Sequence, residues 1–214
     1  MNSLNQLKQD FSEKQNSFSE MMADIKNQIT RTILTKGYPE NTFPYSYELS
    51  GGGKLKYEEI SEIPPKTMSS NYFRINYNSK NQIILSEQWS FGIFRYLSMT
   101  FYEANGIKCF NWEIPHNEEN DEYKLSSVSL LEIENNKAIK SYIYSPNNMH
   151  TRTSEYIYEN DLLINVVVKQ STIKEKYSLH YDKDKNLVQI LRTILGDKSI
   201  QQIYPRVKWI KTDD

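Results

Sequence analysis

Two near-copies of one pattern, in tandem between Thr153 and Thr193, constrain this chain more than anything else in it. The first reads Glu155-Tyr-Ile-Tyr-Glu-Asn-Asp-Leu-Leu-Ile-Asn-Val-Val and the second Ser178-Leu-His-Tyr-Asp-Lys-Asp-Lys-Asn-Leu-Val-Gln-Ile. Each runs from an apolar and aromatic strand through a short Asn/Asp turn into a β-branched strand, which is the signature of a β-hairpin. The same pattern recurs at Tyr72–Tyr77 with Gln82–Trp89, at Phe94–Tyr102 with Ile107–Trp112, and at Lys124–Ile133 with Ala138–Tyr144. Taking Tyr77, Tyr102, Ile133, Tyr158 and Tyr181 as equivalent, the separations are 25, 31, 25 and 23 residues. That spacing marks a diverged internal repeat.

Short hairpin connections make successive strands antiparallel. The expected fold class is therefore mainly β (α+β): a large, curved antiparallel meander of about ten strands that curls, wraps the helix or closes part-way toward a barrel, because wide sheets twist. Ile200–Ile210 adds an edge strand, where Pro205 is tolerated. In the strand from Phe94 to Tyr102, Leu97, Met99 and Phe101 oppose Phe94, Tyr96 and Tyr102, so the central strands are expected to be covered on both faces.

Residues 3–35 hold no Gly or Pro and set Leu4, Leu7, Phe11, Phe18, Met21, Met22, Ile25, Ile29 and Ile33 at spacings of three, four and seven. This predicts an amphipathic helix over residues 1–36, begun at Ser3 and ended by Lys36-Gly37 with Pro39 beyond. Its apolar stripe packs across the sheet or forms the seam of a homodimer; Lys14 and Gln28, at stripe positions, weaken the seam. Residues 37–68 read as a connector carrying short strands, and residues 69–214 as the hairpin-repeat sheet, all in one domain spanning 1–214. The run Gly51-Gly-Gly-Lys54 is followed by Leu55, so it lacks the Ser/Thr and the spacing of a phosphate-binding loop.

Charge and composition narrow the function classes. With 26 basic against 27 acidic residues there is no overall field for nucleic acid or an anionic membrane. The longest apolar runs are strand-sized, so no membrane span is expected. One cysteine, Cys109, permits no internal disulfide, and the first 30 residues lack the basic and apolar regions of a secretory signal. These features fit a cytoplasmic protein.

Chemistry-bearing residues are scattered. His116, His150 and His180 have no metal-ligand spacing, and Cys109 has no second cysteine nearby, so neither metal nor cofactor is expected. Cys109 lies in a strand pattern that makes it an ordinary small buried residue. The acidic loop holding Glu118, Glu119, Asp121 and Glu122 reads as a solvated turn or as a recognition patch for a basic partner. Arg206, Lys208 and Lys211 around Trp209 resemble edge-blocking charges. The 16 tyrosines carry the most function-like signal, since tyrosine combines area with a hydrogen bond at low entropic cost. Tyr142, Tyr144, Tyr156 and Tyr158 are the candidates for partner contact, although the Tyr preceding each turn is expected to be structural in most copies.

At Tyr181-Asp182-Lys-Asp-Lys-Asn186-Leu187 and at Tyr158-Glu-Asn-Asp-Leu162 the chain resembles the Tyr-Asp and MORN-variant hairpin repeats of bacterial proteins. Those repeats occur in toxin-delivery polypeptides and in small cytoplasmic immunity (antitoxin) proteins. Where they carry Gly in the turn, this chain has Asn81, Asn136 and Asn186, and Gly106 alone keeps the Gly. Asn tolerates left-handed backbone, so the turn survives the exchange. The resemblance implies a non-enzymatic module that binds another protein, such as a toxin. Two other classes stand beside it: a carrier of a lipid or other apolar molecule in a cupped, aromatic-lined sheet, and a hydrolase using Cys109 or the acidic loop.

Overall fold

A computed structural model describes residues 3–37, 43–49, 57–61, 72–90, 93–114, 122–146, 150–196 and 199–205. The Gly51–Lys54 run, Glu118, Glu119, Asp121 and the basic cluster around Trp209 lie outside the described residues. Among the described residues thirteen strands form one antiparallel sheet: β1 (Arg31–Lys36), β2 (Glu58–Glu59), β3 (Tyr72–Tyr77), β4 (Ile83–Ser90), β5 (Ile93–Glu103), β6 (Gly106–Glu113), β7 (Lys124–Glu134), β8 (Lys137–Ser145), β9 (His150–Glu159), β10 (Leu162–Gln170), β11 (Ile173–Tyr181), β12 (Leu187–Ile194) and β13 (Ile200–Tyr204). From β3 to β13 each strand pairs with the next, β1 flanks β3, and β2 flanks β1. The sheet is not closed into a barrel; β13 and β2 are its edges.

The hairpins follow from local chemistry. Asn135 and Asn136, at φ 50° and 61°, join β7 to β8, and Asn160 and Asp161, at φ 47° and 67°, join β9 to β10. Two consecutive left-handed residues turn the chain with the hand that twisted strands require, and Asn and Asp adopt that conformation most readily after Gly. The β3–β4 and β11–β12 turns are copies of each other. Asn78 Oδ1 accepts from the backbone N–H groups of Lys80 and Gln82, and Asp182 Oδ1 from those of Asp184 and Asn186. In the first copy Asn81 takes the left-handed position; in the second Lys185 takes it, not Asn186. Gly106 is not a left-handed turn residue either. It opens β6, where a Cβ would come within 2.6 Å of the Leu131 carbonyl oxygen. Lys185→Gly is expected to raise unfolding free energy by up to about 1 kcal/mol in urea titrations, since a side chain at positive φ is strained.

The expected helix over residues 1–36 is corrected in two places. Helix α1 (Ser3–Lys14) ends before Asn16 and Ser17, and α2 (Phe18–Lys26) begins after them. Asn and Ser compete for backbone hydrogen bonds and favour helix ends. Residues 31–36 are then a strand, because Thr32, Ile33 and Thr35 are β-branched and the open edge of β3 offers six partners, Tyr77 through Tyr72. Thr32 Oγ1 donates to Asn76 Oδ1 at 2.7 Å, and the Arg31 guanidinium lies 4.0 Å over the Tyr77 ring.

Paired residues share a face of the sheet and neighbours along a strand alternate. On one face, here the helix face, Leu85, Leu97, Met99, Phe110, Trp112 and Val128 form a core with Leu7 of α1 and Met21 and Ile25 of α2. Phe11 meets Tyr144 edge-on at 5.6 Å, and Phe18 meets Trp112 at 5.1 Å and stacks on Tyr123 at 4.0 Å. On the opposite face Leu131, Tyr156, Leu163, Val166, Tyr177, Leu179 and Ile190 form a second core, closed by Phe43, Tyr45 and Leu49. Leu49 belongs to α3 (Ser46–Leu49), which touches β13. The connector is thus more than a linker with short strands. A smaller third cluster joins Ile75, Tyr77 and Ile83 to Ile33 and Phe73.

Candidate functional site

The register between β8 and β9 decides where the candidate tyrosines sit. Ser141 pairs with Ser154 and Tyr142 with Thr153. Tyr142 and Tyr144 therefore share the helix face, while Tyr156 and Tyr158 share the opposite one. Tyr142 and Tyr144 pack on the core beneath α1 and α2. Tyr156 is buried, its hydroxyl 3.1 Å from Ser141 Oγ, and burial pushes its ionisation up. Tyr158 is half-buried against the second core, with burial again raising its pKa and Lys137 Nζ 5.5 Å from its ring. The four candidate tyrosines are thus split between two faces, and each packs against the chain's own cores. Of the acidic candidates, Glu122 is described and exposed.

Tyrosines before the turns serve the hairpins. Tyr102 Oη donates to the Ile83 carbonyl at 3.1 Å, and Tyr181 Oη to the Leu163 carbonyl at 2.8 Å. Tyr96 and Tyr102 of β5 are nonetheless 47% and 37% exposed, so this central strand is not fully covered on both faces.

Cys109 sits inside the sheet, 3.6 Å from Thr100 Oγ1. Burial pushes its thiol up to about 11, against the partial opposing effect of hydroxyl contacts from Thr100 and Ser129. At neutral pH the nucleophilic thiolate is a minute fraction. Iodoacetamide is expected to leave the native protein unlabelled and to alkylate Cys109 fully once urea unfolds it, as read by intact mass. His180 is exposed on the helix face of β11. Among the described residues no three His, Cys, Asp or Glu side chains gather as metal ligands.

Among the described residues, two open features bear on function. One is a half-open groove of about 730 Å³ between the end of α2 and the β3–β4 and β5–β6 turns, lined by Asn27, Gln28, Asn78, Lys80, Gln82 and Glu103 among others. Its lining mixes these polar groups with Ile25, Ile84 and Phe101, and it is not enclosed as a carrier site for an apolar molecule is. Within the second core, the space beneath Phe43 and Leu49 measures about 60 Å³. The other feature is the half of the helix face that the helices do not reach. Helix α1 contacts β7 and β8, and the core beneath α1 and α2 draws on β4 to β8. Over β9 to β13 that same face presents Thr153, Glu155, Ile157, Val167, Lys169, Lys174, Lys176, Leu191 and Gln202. Ile157 is 42% exposed there, and Ile200 is 66% exposed.

No family model, curated protein or solved structure matches this chain.

Proposed function

We propose that this chain is a non-enzymatic protein-binding module of the immunity (antitoxin) type, acting by occluding a partner protein such as a toxin in the cytoplasm. The observation that carries this reading is the five-strand half-face that no described helix covers, where Ile157 and Ile200 are exposed among polar side chains. A β-face that mixes charged and aliphatic side chains suits contact with another protein. Supporting it, the thiol of Cys109 is buried and held protonated, which removes the best nucleophile from a hydrolase reading. A carrier of apolar molecules would need an enclosed apolar cavity, whereas the groove beside α2 is half-open with a mixed lining. The tyrosine set is not the surface proposed here, since its members pack on the two cores.

Affinity purification of the tagged chain from its native host, followed by mass spectrometry, is expected to return one protein at a fixed ratio across replicates. If that partner is a toxin, co-expression restores growth in cells producing it. Repeated recovery of the chain alone would overturn the proposal.

A further inference from the structure

Lys169, Lys174 and Lys176 stand together on the open half-face. Lys169 pairs directly with Lys174, and Lys176 pairs with Val167. Three ammonium groups therefore occupy neighbouring positions on adjacent strands, and like charges set opposite each other destabilise a sheet. The flanking strands supply no compensation in register: Thr153 stands beside Lys169 and Thr193 beside Lys176. Glu155, opposite Val167, is held by Lys140 at 3.5 Å. Among the described residues no carboxylate pairs with any of the three lysines. An unbalanced cluster that costs folding stability, beside exposed aliphatic side chains, calls for an occupant that supplies both negative charge and apolar area.

We propose that this half-face is the docking surface for an acidic face of the protein partner. The partner's carboxylates meet Lys169, Lys174 and Lys176, and its apolar positions cover Ile157, Val167 and Ile200. One row across the sheet, Glu155–Val167–Lys176–Thr193–Ile200, sets charged, hydroxyl and aliphatic side chains side by side. Four strand spacings of about 4.8 Å by nine residues of about 3.4 Å give a face on the order of 600 Å². That approaches the roughly 800 Å² per partner of a standard interface. A protein is favoured over nucleic acid by what the face lacks. The described tyrosines of these strands, Tyr156, Tyr158, Tyr177, Tyr181 and Tyr204, belong to the second core on the other face. Arg192 also points there, bonded to Glu175. Single-stranded nucleic acid is held by stacking on exposed aromatics, and among the described residues this half-face offers no Phe, Tyr or Trp ring, only the His180 imidazole at its border.

This inference rests on the protein-binding reading, and its test separates the two. The isotope-labelled full chain is titrated with poly-L-glutamate at low and high salt and followed by amide NMR. Shifts are expected in residues 167–170 and 174–176, weakening at high salt. The variant Lys169→Gln/Lys174→Gln/Lys176→Gln should lose at least about tenfold in affinity. Lys174→Glu, which sets opposite charges across β10 and β11, should raise Tm by a few degrees while weakening the same titration. Shifts elsewhere, undiminished binding by the triple variant, or a lowered Tm for Lys174→Glu would overturn the surface. So would tighter binding of a uridine oligonucleotide than of poly-L-glutamate at equal charge, or a dimer in light scattering that the triple variant abolishes. A partner recovered from the host that binds the triple variant undiminished sinks only this surface, whereas recovery of no partner sinks the protein-binding reading itself.

Discussion

Trp112→Ala is expected to lower the unfolding free energy by about 4 kcal/mol, enough to bring many domains of this size close to their stability limit. Trp112 is 0% exposed, is paired with Leu97 and Leu125 on the flanking strands, and meets the Phe18 ring. Truncation removes its burial and leaves a cavity at the centre of the core beneath the helices. Among the described residues its buried indole Nε1 has no hydrogen-bond partner, which subtracts from what the side chain contributes. Trp112→Phe removes that unpaired N–H along with part of the ring, so its cost should stay within about 1.5 kcal/mol. Urea unfolding of the two variants beside the parent protein makes the comparison. An alanine variant as stable as the parent would mean that this core is not formed.

Removing residues 1–28 is expected to have a larger effect still: the truncated chain should be recovered from inclusion bodies and not from the soluble fraction. The deletion takes away α1 and α2 but keeps β1, so the sheet retains all its strands while Leu85, Leu97, Met99, Phe110 and Val128 lose their cover. Apolar side chains of that size in one continuous patch drive self-association. Lost with them are the Lys108–Asp10 ion pair at 2.9 Å and the Ser3 hydroxyl bond to Glu132 at 2.7 Å. A soluble, monomeric truncated chain with an unchanged unfolding midpoint would show that the helices are dispensable to the fold.

Both results depend on which face of the sheet each element covers, and there the sequence was an incomplete guide. Residues 29–36 satisfy two periods at once. Ile29 and Ile33 continue the helical spacing, while Arg31, Ile33 and Thr35 alternate as a strand. The choice rests on β3, whose free edge pairs with all six residues of β1. The candidate tyrosines met a similar ambiguity. Tyr142 and Tyr144 share parity with Tyr156 and Tyr158, yet parity fixes a face only within one strand. Pairing Ser141 with Ser154 puts the two pairs on opposite sides, and the register shifts at Glu132/Ile133 and Leu163/Asn165 reset the alternation again. Sequence pattern registers none of these shifts.

What this sequence determines by itself is the succession of hairpins. Turn residues such as Asn135-Asn136 and Asn160-Asp161, and the period-2 runs between them, act through backbone sterics and nearest-neighbour hydrogen bonds, so β3 to β12 fall within a few residues of their expected bounds. Tertiary structure decided the rest: a sheet left open at β2 and β13, a helix broken into α1 and α2 with a strand behind it, and a connector whose Phe43, Tyr45 and Leu49 close the second core. It also decided that Lys169 and Lys174 stand side by side in the open. Contacts between residues far apart in the chain depend on register and on competition for apolar surface, and neither is encoded in any local stretch.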